Sequence, residues 1–286
     1  MKKSEIQVTT ASGERSAFSR EKIARSLQKS GASEETVHQI LDIISAEVYP
    51  GMSTKRIFKR AFKLLRKKDR LQASRYKLKK AIYELGPTGF PFERFVAAVY
   101  AHLGYKVEVG KIVQGKCVTH EIDVVAERQE DKLLIECKFH AEQGRKCNVK
   151  VPLYIASRFR DIQQLQEEPR KITNHAWIVT NTRFTTDAIT YGKCSGLNLL
   201  SWDTPKDHGL KDILDQTGLY PITVSTLLTQ REKQFLLNRD VVLCRDIIKD
   251  DFYLDQLEIG EERKQKILDE MLQLGSSKEN RDEKES

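Results

Sequence analysis

His120-Glu-Ile-Asp123-Val-Val-Ala126 and, after a short gap, Leu133-Leu-Ile-Glu136-Cys-Lys138 decide how this chain is read. Side chains alternate along a strand, so Glu136 and Lys138 share one face while Ile135 and Cys137 take the other. Adjacent pairing of two such strands brings Asp123 beside them. Two carboxylates and one ammonium then converge at the strand ends, flanked by core residues. Magnesium prefers hard oxygen ligands and keeps positions for water and phosphate, which one or two carboxylates permit. Such an ion can polarise a phosphodiester and acidify its attacking water, with Lys138 orienting that water or stabilising charge on phosphorus. The competing structural role is a surface ion pair worth about 0–1 kcal/mol.

Outward from this stretch, Phe92 to Leu103 reads as an amphipathic helix with Phe92, Phe95, Val96, Val99 and Leu103 on one face. Strands are expected at 105–113, 116–126 and 132–139, a helix at 153–166, a strand at 176–180, a helix at 185–193 and a strand at 197–202. The order α-β-β-β-α-β-α-β implies a mixed sheet flanked by helices, an α+β or α/β class. The spaced acids, the lysine and this order of elements resemble the PD-(D/E)xK nucleases, in particular the Mrr-like restriction endonucleases, over Pro91 to Trp202. The resemblance implies a DNA endonuclease dependent on Mg²⁺ or Mn²⁺. Asp123 and Glu136 would hold the metal, Glu93 on the preceding helix would join them, and Lys138 would serve the water or the transition state. Ile122 stands where many members of the wider family have proline. A homodimer is compatible with this assignment.

A rival use of the region is zinc binding by Cys117 and His120 with His140 and Cys147, soft ligands at an unfamiliar spacing. Lining of the cleft by His120 and His140 is the preferred expectation.

Upstream, residues 5–18 read as a hairpin turning at Ser12-Gly13, followed by helices at 19–28, 33–47, 53–67 and 71–85, with serines at three N-caps. Residues 6–87 resemble an ATP-cone, the small regulatory domain of ribonucleotide reductases, through Phe18-Ser-Arg-Glu-Lys22-Ile23 and Ala73-Ser-Arg75-Tyr76. The resemblance implies ATP or dATP as effector, with Val8 and Lys22 at the nucleotide. The valine-x-Lys-Arg-x-Gly pattern of that family is here Val8-Thr9-Thr10-Ala11-Ser12-Gly13, without the two bases. A helix N-terminus at Lys22 offers backbone N–H groups to a phosphate.

The net charge is +8, and Ser53 to Lys80 alone carries thirteen Lys and Arg against Asp69. Lys55, Lys59 and Lys63 recur four apart, as do Arg56 and Arg60, a spacing at which like charges repel. A polyanion relieves that repulsion, and DNA is the expected partner. A solvated helix face is the ordinary explanation of such a run.

Gly86-Pro87-Thr88-Gly89 marks the expected domain boundary. The expected division is a cone-like domain at 1–87, an endonuclease-like domain at 88–205, C-terminal helices at 206–260 with a capping box at Thr229, and a charged, disordered tail at 261–286. Five cysteines without a CxxC pair, a polar start and no long apolar run suggest a cytoplasmic protein. The leading expectation is a metal-dependent DNA endonuclease with a nucleotide-sensing cone. The alternative is an ATP- or dATP-sensing DNA-binding regulator with an inactive nuclease fold.

Overall fold

The structure, a computed structural model, describes residues 6–165 and 173–275. The chain opens with the antiparallel hairpin β1 (Gln7–Thr9) and β2 (Arg15–Ala17), which turns at Gly13 with φ +84°. Only glycine adopts that backbone without strain. Helices α1 (Arg20–Lys29), α2 (Glu34–Glu47) and α3 (Thr54–Lys68) follow. Ser19, Ser33 and Ser53 each accept a first-turn N–H at their N-caps, as expected. Leu27, Ile40, Ile44, Ile57, Ala61 and Leu65 form a separate small core with α4 (Arg70–Tyr76).

Where one helix is expected over 71–85, the chain breaks at Lys77 into α4 and α5 (Leu78–Tyr83). The Lys77 ammonium is buried, bonding Glu84 at 2.8 Å and donating to the Thr223 carbonyl at 2.9 Å. The two hydrophobic cores divide at the same place. Ala73 and Tyr76 belong to the N-terminal core, whereas Leu78, Ala81, Ile82 and Leu85 belong to the main one. Packing therefore changes hands at Lys77, ahead of the glycines at 86 and 89.

The main body has α6 (Phe90–His102), then β3 (Lys106–Gln114), β4 (Thr119–Arg128), β5 (Asp131–Lys138) and the two-residue β6 (Lys146–Cys147). After α7 (Lys150–Gln164) come β7 (Thr173–Thr180), β8 (Arg183–Phe184), α8 (Thr186–Cys194) and β9 (Asn198–Leu200). The five-stranded sheet runs β3-β4-β5-β7-β9, antiparallel through β5 and parallel beyond it, so the expected mixed sheet is present. Short β6 and β8 pair with each other, a small parallel pair absent from the sequence expectation.

Helix α6 covers one face through Phe92, Phe95, Val96 and Val99, and α7 and α8 cover the other. The C-terminal helices α9 (Leu210–Thr217), α10 (Gln230–Leu237), α11 (Cys244–Lys249), α12 (Phe252–Asp255) and α13 (Glu261–Gly275) join the α6 side. The capping box at Thr229 and Glu232 forms as expected. The tail expected from residue 261 is helical as far as Gly275, because Ile267, Met271 and Leu274 fall on one stripe and are fully buried. The remainder of that tail, 276–286, lies outside the described residues, as do residues 1–5. Among the described residues no helix is long and apolar enough to cross a membrane.

Candidate active site

Val124 pairs with Ile135 in the β4–β5 ladder, which places Asp123 across from Glu136 where the ladder ends. Strand alternation breaks at this point. Val124 and Ala126 pack toward α6, yet Ile122 and Val125 both pack toward α7. The half-turn frees the Asp123 carboxylate to reach across the end of β5, where its Oδ2 accepts the Cys137 N–H at 2.7 Å. Cys137 itself points into the core, 8% exposed. Lys138 ends the strand exposed to solvent, its carbonyl accepting from Thr180 Oγ1 at 2.6 Å.

Charge is concentrated here at a cost. Burial, then the Asp123 charge, pushes the Glu136 carboxyl up to about 7. Burial, then Asp123 and Glu121, pushes Glu93 up to about 7 as well. Asp123 is raised by burial against the pull of the Cys137 N–H, Arg158 and Lys138. Three carboxyls raised by desolvation and by neighbouring negative charge favour a positive guest. Among the described residues no three His, Cys, Asp or Glu side chains cluster closely enough to share one ion. Glu93 thus feels the Asp123 charge and does not complete a three-ligand cluster. Two oxygen donors and water satisfy magnesium, so Asp123 and Glu136 fit a hard divalent cation.

Arg158 of α7 was not singled out by the sequence. Its Nη1 donates to Glu136 Oε2 at 2.7 Å, its Nη2 donates to the Glu121 carbonyl, and its guanidinium lies over Tyr154. The signal was available: Arg158 lies three residues after Ile155 and four before Ile162, on the buried stripe of α7. A charge on such a stripe requires a partner.

His120 departs from expectation. His120 does not line the site; it bonds Asp161 of α7 at 2.8 Å. Asp161 also accepts the N–H groups of Cys117 and Val118, and His120 first among these donors holds its carboxyl well below the usual range. The main chain of His140 is clamped by Asn181, donating to Oδ1 and accepting from Nδ2, both at 2.9 Å. Cys147 is fully buried with Ile155 and Ala188. These separate engagements remove the four-ligand zinc arrangement.

In the N-terminal domain, Val8 is buried in the core, so its side chain is closed to a nucleotide. Lys22 is exposed on the first turn of α1, whose N-terminus is already capped by Ser19. Part of the basic block is also neutralised by acids outside it. Arg60 pairs with Glu47, and Lys80 meets Glu84 at 3.0 Å. Arg56 lies over the Tyr49 ring and donates to its hydroxyl at 3.1 Å. Lys55, Lys59 and Lys63 remain exposed and, among the described residues, have no acid at ion-pair distance.

Residues 87–204 match the family model for restriction endonucleases, and residues 220–274 match the C-terminal domain of AF1548-like proteins. An uncharacterized protein of Archaeoglobus fulgidus is 36% identical over 145 residues, spanning 51% of this chain and 79% of that protein. The crystal structure of the protein of unknown function AF1548 is similar at a TM-score of 0.54 and 31% identity, covering 66% of this chain and 100% of that one. With 79% of that relative and 100% of that solved chain covered at more than 30% identity, the chain belongs to the AF1548-like family, with a restriction endonuclease domain at its centre.

Proposed function

We propose that the chain is a metal-dependent DNA endonuclease. The observation that carries this is the facing of Asp123 and Glu136 at the end of the β4–β5 ladder, with both carboxyls raised, one lysine beside them and a restriction endonuclease match around them. Asp123 and Glu136 would hold Mg²⁺ or Mn²⁺. Bound there, the ion supplies Lewis acidity at the phosphodiester and a more acidic water. Lys138 orients the attacking water or steadies the charge gathering on the phosphoryl oxygens. Glu93 adds negative potential on the α6 side and retains a proton to higher pH than an ordinary carboxyl, suiting it to exchange a proton with solvent. Incubation of the purified protein with plasmid DNA and Mg²⁺ should give nicked or linear product that chelator abolishes.

A second reading has one observation in its favour. The Arg158 guanidinium already pairs with Glu136, as a regulator with an inactive nuclease fold would allow. Specific DNA binding with no cleavage of duplex, single-stranded or branched DNA under any divalent ion would select it.

The raised carboxyls give a test independent of turnover. Glu136 and Glu93 ordinarily titrate near 4.5, and in the fold near 7. Between those values the folded state holds protons that the unfolded chain has lost, so their contribution to stability falls as pH rises through the window. A cation on the ionised pair reverses this loss. The rise in Tm caused by Mg²⁺ should therefore be larger at about pH 8 than at about pH 5.5, and Glu136→Gln should remove most of it.

Effector binding is supported by the cone resemblance and by Lys22 on the first turn of α1. Calorimetry should detect ATP or dATP binding that Lys22→Glu eliminates. Heat-silent titration at millimolar nucleotide would leave the domain a docking role.

A further inference from the structure

A concentration of cations lies away from the carboxylates, in a cavity of about 470 Å³ along the seam between the N-terminal domain and the sheet. Its lining contains Lys55 and Lys59 of α3, Lys79 and Lys80 of α5, Arg145 and Lys146 at β6, and Arg183 of β8, against Glu14 alone. Glu14 is engaged by Ser12 at 3.2 Å. Three cations are balanced from outside the lining: Lys80 by Glu84, Arg145 by Glu142 and Arg183 by Asp203. Lys55, Lys59, Lys79 and Lys146 have no acid at ion-pair distance among the described residues. Burial, then Arg183, holds the Lys79 ammonium below its usual range, with Asp203 opposing that fall and the Trp202 ring 5.6 Å away.

The seam is closed on one side by direct contact. A Cβ placed on Gly144 would meet the Ala11 carbonyl at 2.8 Å, so the loop after β5 packs hard against the hairpin. That same loop leaves Lys138. Lys138 and Arg145 both act on the His140 ring, and Lys138 lies beside Thr180, two residues before the cavity-lining Thr182. Cleft and candidate active site thus open on the same end of the sheet.

One wall of the cavity is an extended row. Lys55, Lys59 and Lys63 succeed one another at about 6 Å along α3 at a rise of about 1.5 Å per residue, and Lys63 continues the row beyond the cavity. Phe58, itself stacked on Tyr76, and Tyr83 also line the cavity among the cations.

We propose that this seam is the track for the DNA backbone flanking the cleaved bond, with Lys59 and Lys146 holding phosphates from opposite walls. The proposal rests on the DNA reading above and assigns the N-terminal domain a share in gripping the substrate.

The test is the salt dependence of DNA binding, measured by fluorescence anisotropy in chelator. Each phosphate contact contributes about −0.9 to the slope of log K against log salt on duplex DNA. The double variant Lys59→Gln, Lys146→Gln should flatten the slope by roughly two units and weaken all sequences alike. A double variant of the exposed Lys29 and Lys249, outside the cavity lining, should leave it unchanged. Matching melting curves exclude loss of fold. A wild-type slope retained by the cleft variant overturns the proposal while leaving the endonuclease reading intact. So does loss of ATP binding in that variant with the DNA slope unchanged, which would make the seam a nucleotide pocket. Failure of the wild type to bind DNA at all removes the function and the proposal together.

Discussion

Alanine at Asp123 or Glu136 is expected to lower metal-dependent DNA cleavage by roughly three orders of magnitude, the equivalent of about 4 kcal/mol of transition-state stabilisation. Lys138→Ala should fall in the same class. The informative variant is Glu136→Gln, because it separates chemistry from folding. Glutamine keeps the shape of the side chain and an oxygen for Arg158, but removes a charge that burial and Asp123 both oppose. Above pH 7 the ionised Glu136 weakens the fold, since its proton is held more tightly in the native state than in the unfolded one. Glu136→Gln should therefore melt at or above the wild-type temperature at about pH 8 while losing nearly all cleavage. Asp123→Ala should instead melt slightly lower, because it strands the Cys137 N–H, worth about 1 kcal/mol. Retained cleavage in either variant, with a wild-type response to chelator, would move the chemistry away from this pair.

The elements of the sheet were legible because their signals are local. Alternation around Ile122 to Ala126 and Leu133 to Cys137, and the apolar face from Phe92 to Leu103, report burial by periods of two and about 3.6. The features that escaped depend on partners distant in the chain. Lys77 breaks a helix because Glu84 and the Thr223 carbonyl draw its ammonium inward. The basic block looked unbalanced because Glu47, which pairs with Arg60, precedes it and Glu84 follows it. Arg158 entered the site from a helix two elements after Lys138. Helix α13 was hidden by composition, since twelve of its fifteen residues are not fully buried hydrophobics and only the three-residue stripe betrays it. The candidate carboxylates and lysine could be named from the strands alone; the Arg158 counter-ion and the engagement of His120 by Asp161 required the packing of α7.

Glu270→Ala is expected to cost about 3–5 kcal/mol of folding stability, read as a fall in the midpoint of chemical denaturation. Glu270 of α13 is 7% exposed and accepts from four donors: Ser74 Oγ at 2.7 Å, Ser225 Oγ at 2.5 Å, and the N–H and hydroxyl of Thr226, both at 3.0 Å. Ser74 lies in the N-terminal domain, and Ser225 and Thr226 precede α10, so one carboxylate ties three parts of the molecule together. Two buried ammoniums depend on the same region. Lys233 donates to the Ser225 carbonyl at 2.5 Å, and burial, then Lys77, holds it below the usual lysine range, with Glu84 and Glu270 opposing that fall. Alanine removes the acceptor and leaves both the four donors and the lysines less compensated, the case in which breaking a buried charged network is far more harmful than never having built it. Glu270→Gln should recover part of the loss, because it restores one carbonyl oxygen without the charge. The seam between the domains should loosen in parallel, so proteolysis of the alanine variant should begin near Lys77, where the two cores part. A midpoint within experimental error of wild type would mean that α13 is held by Ile267, Met271 and Leu274 alone.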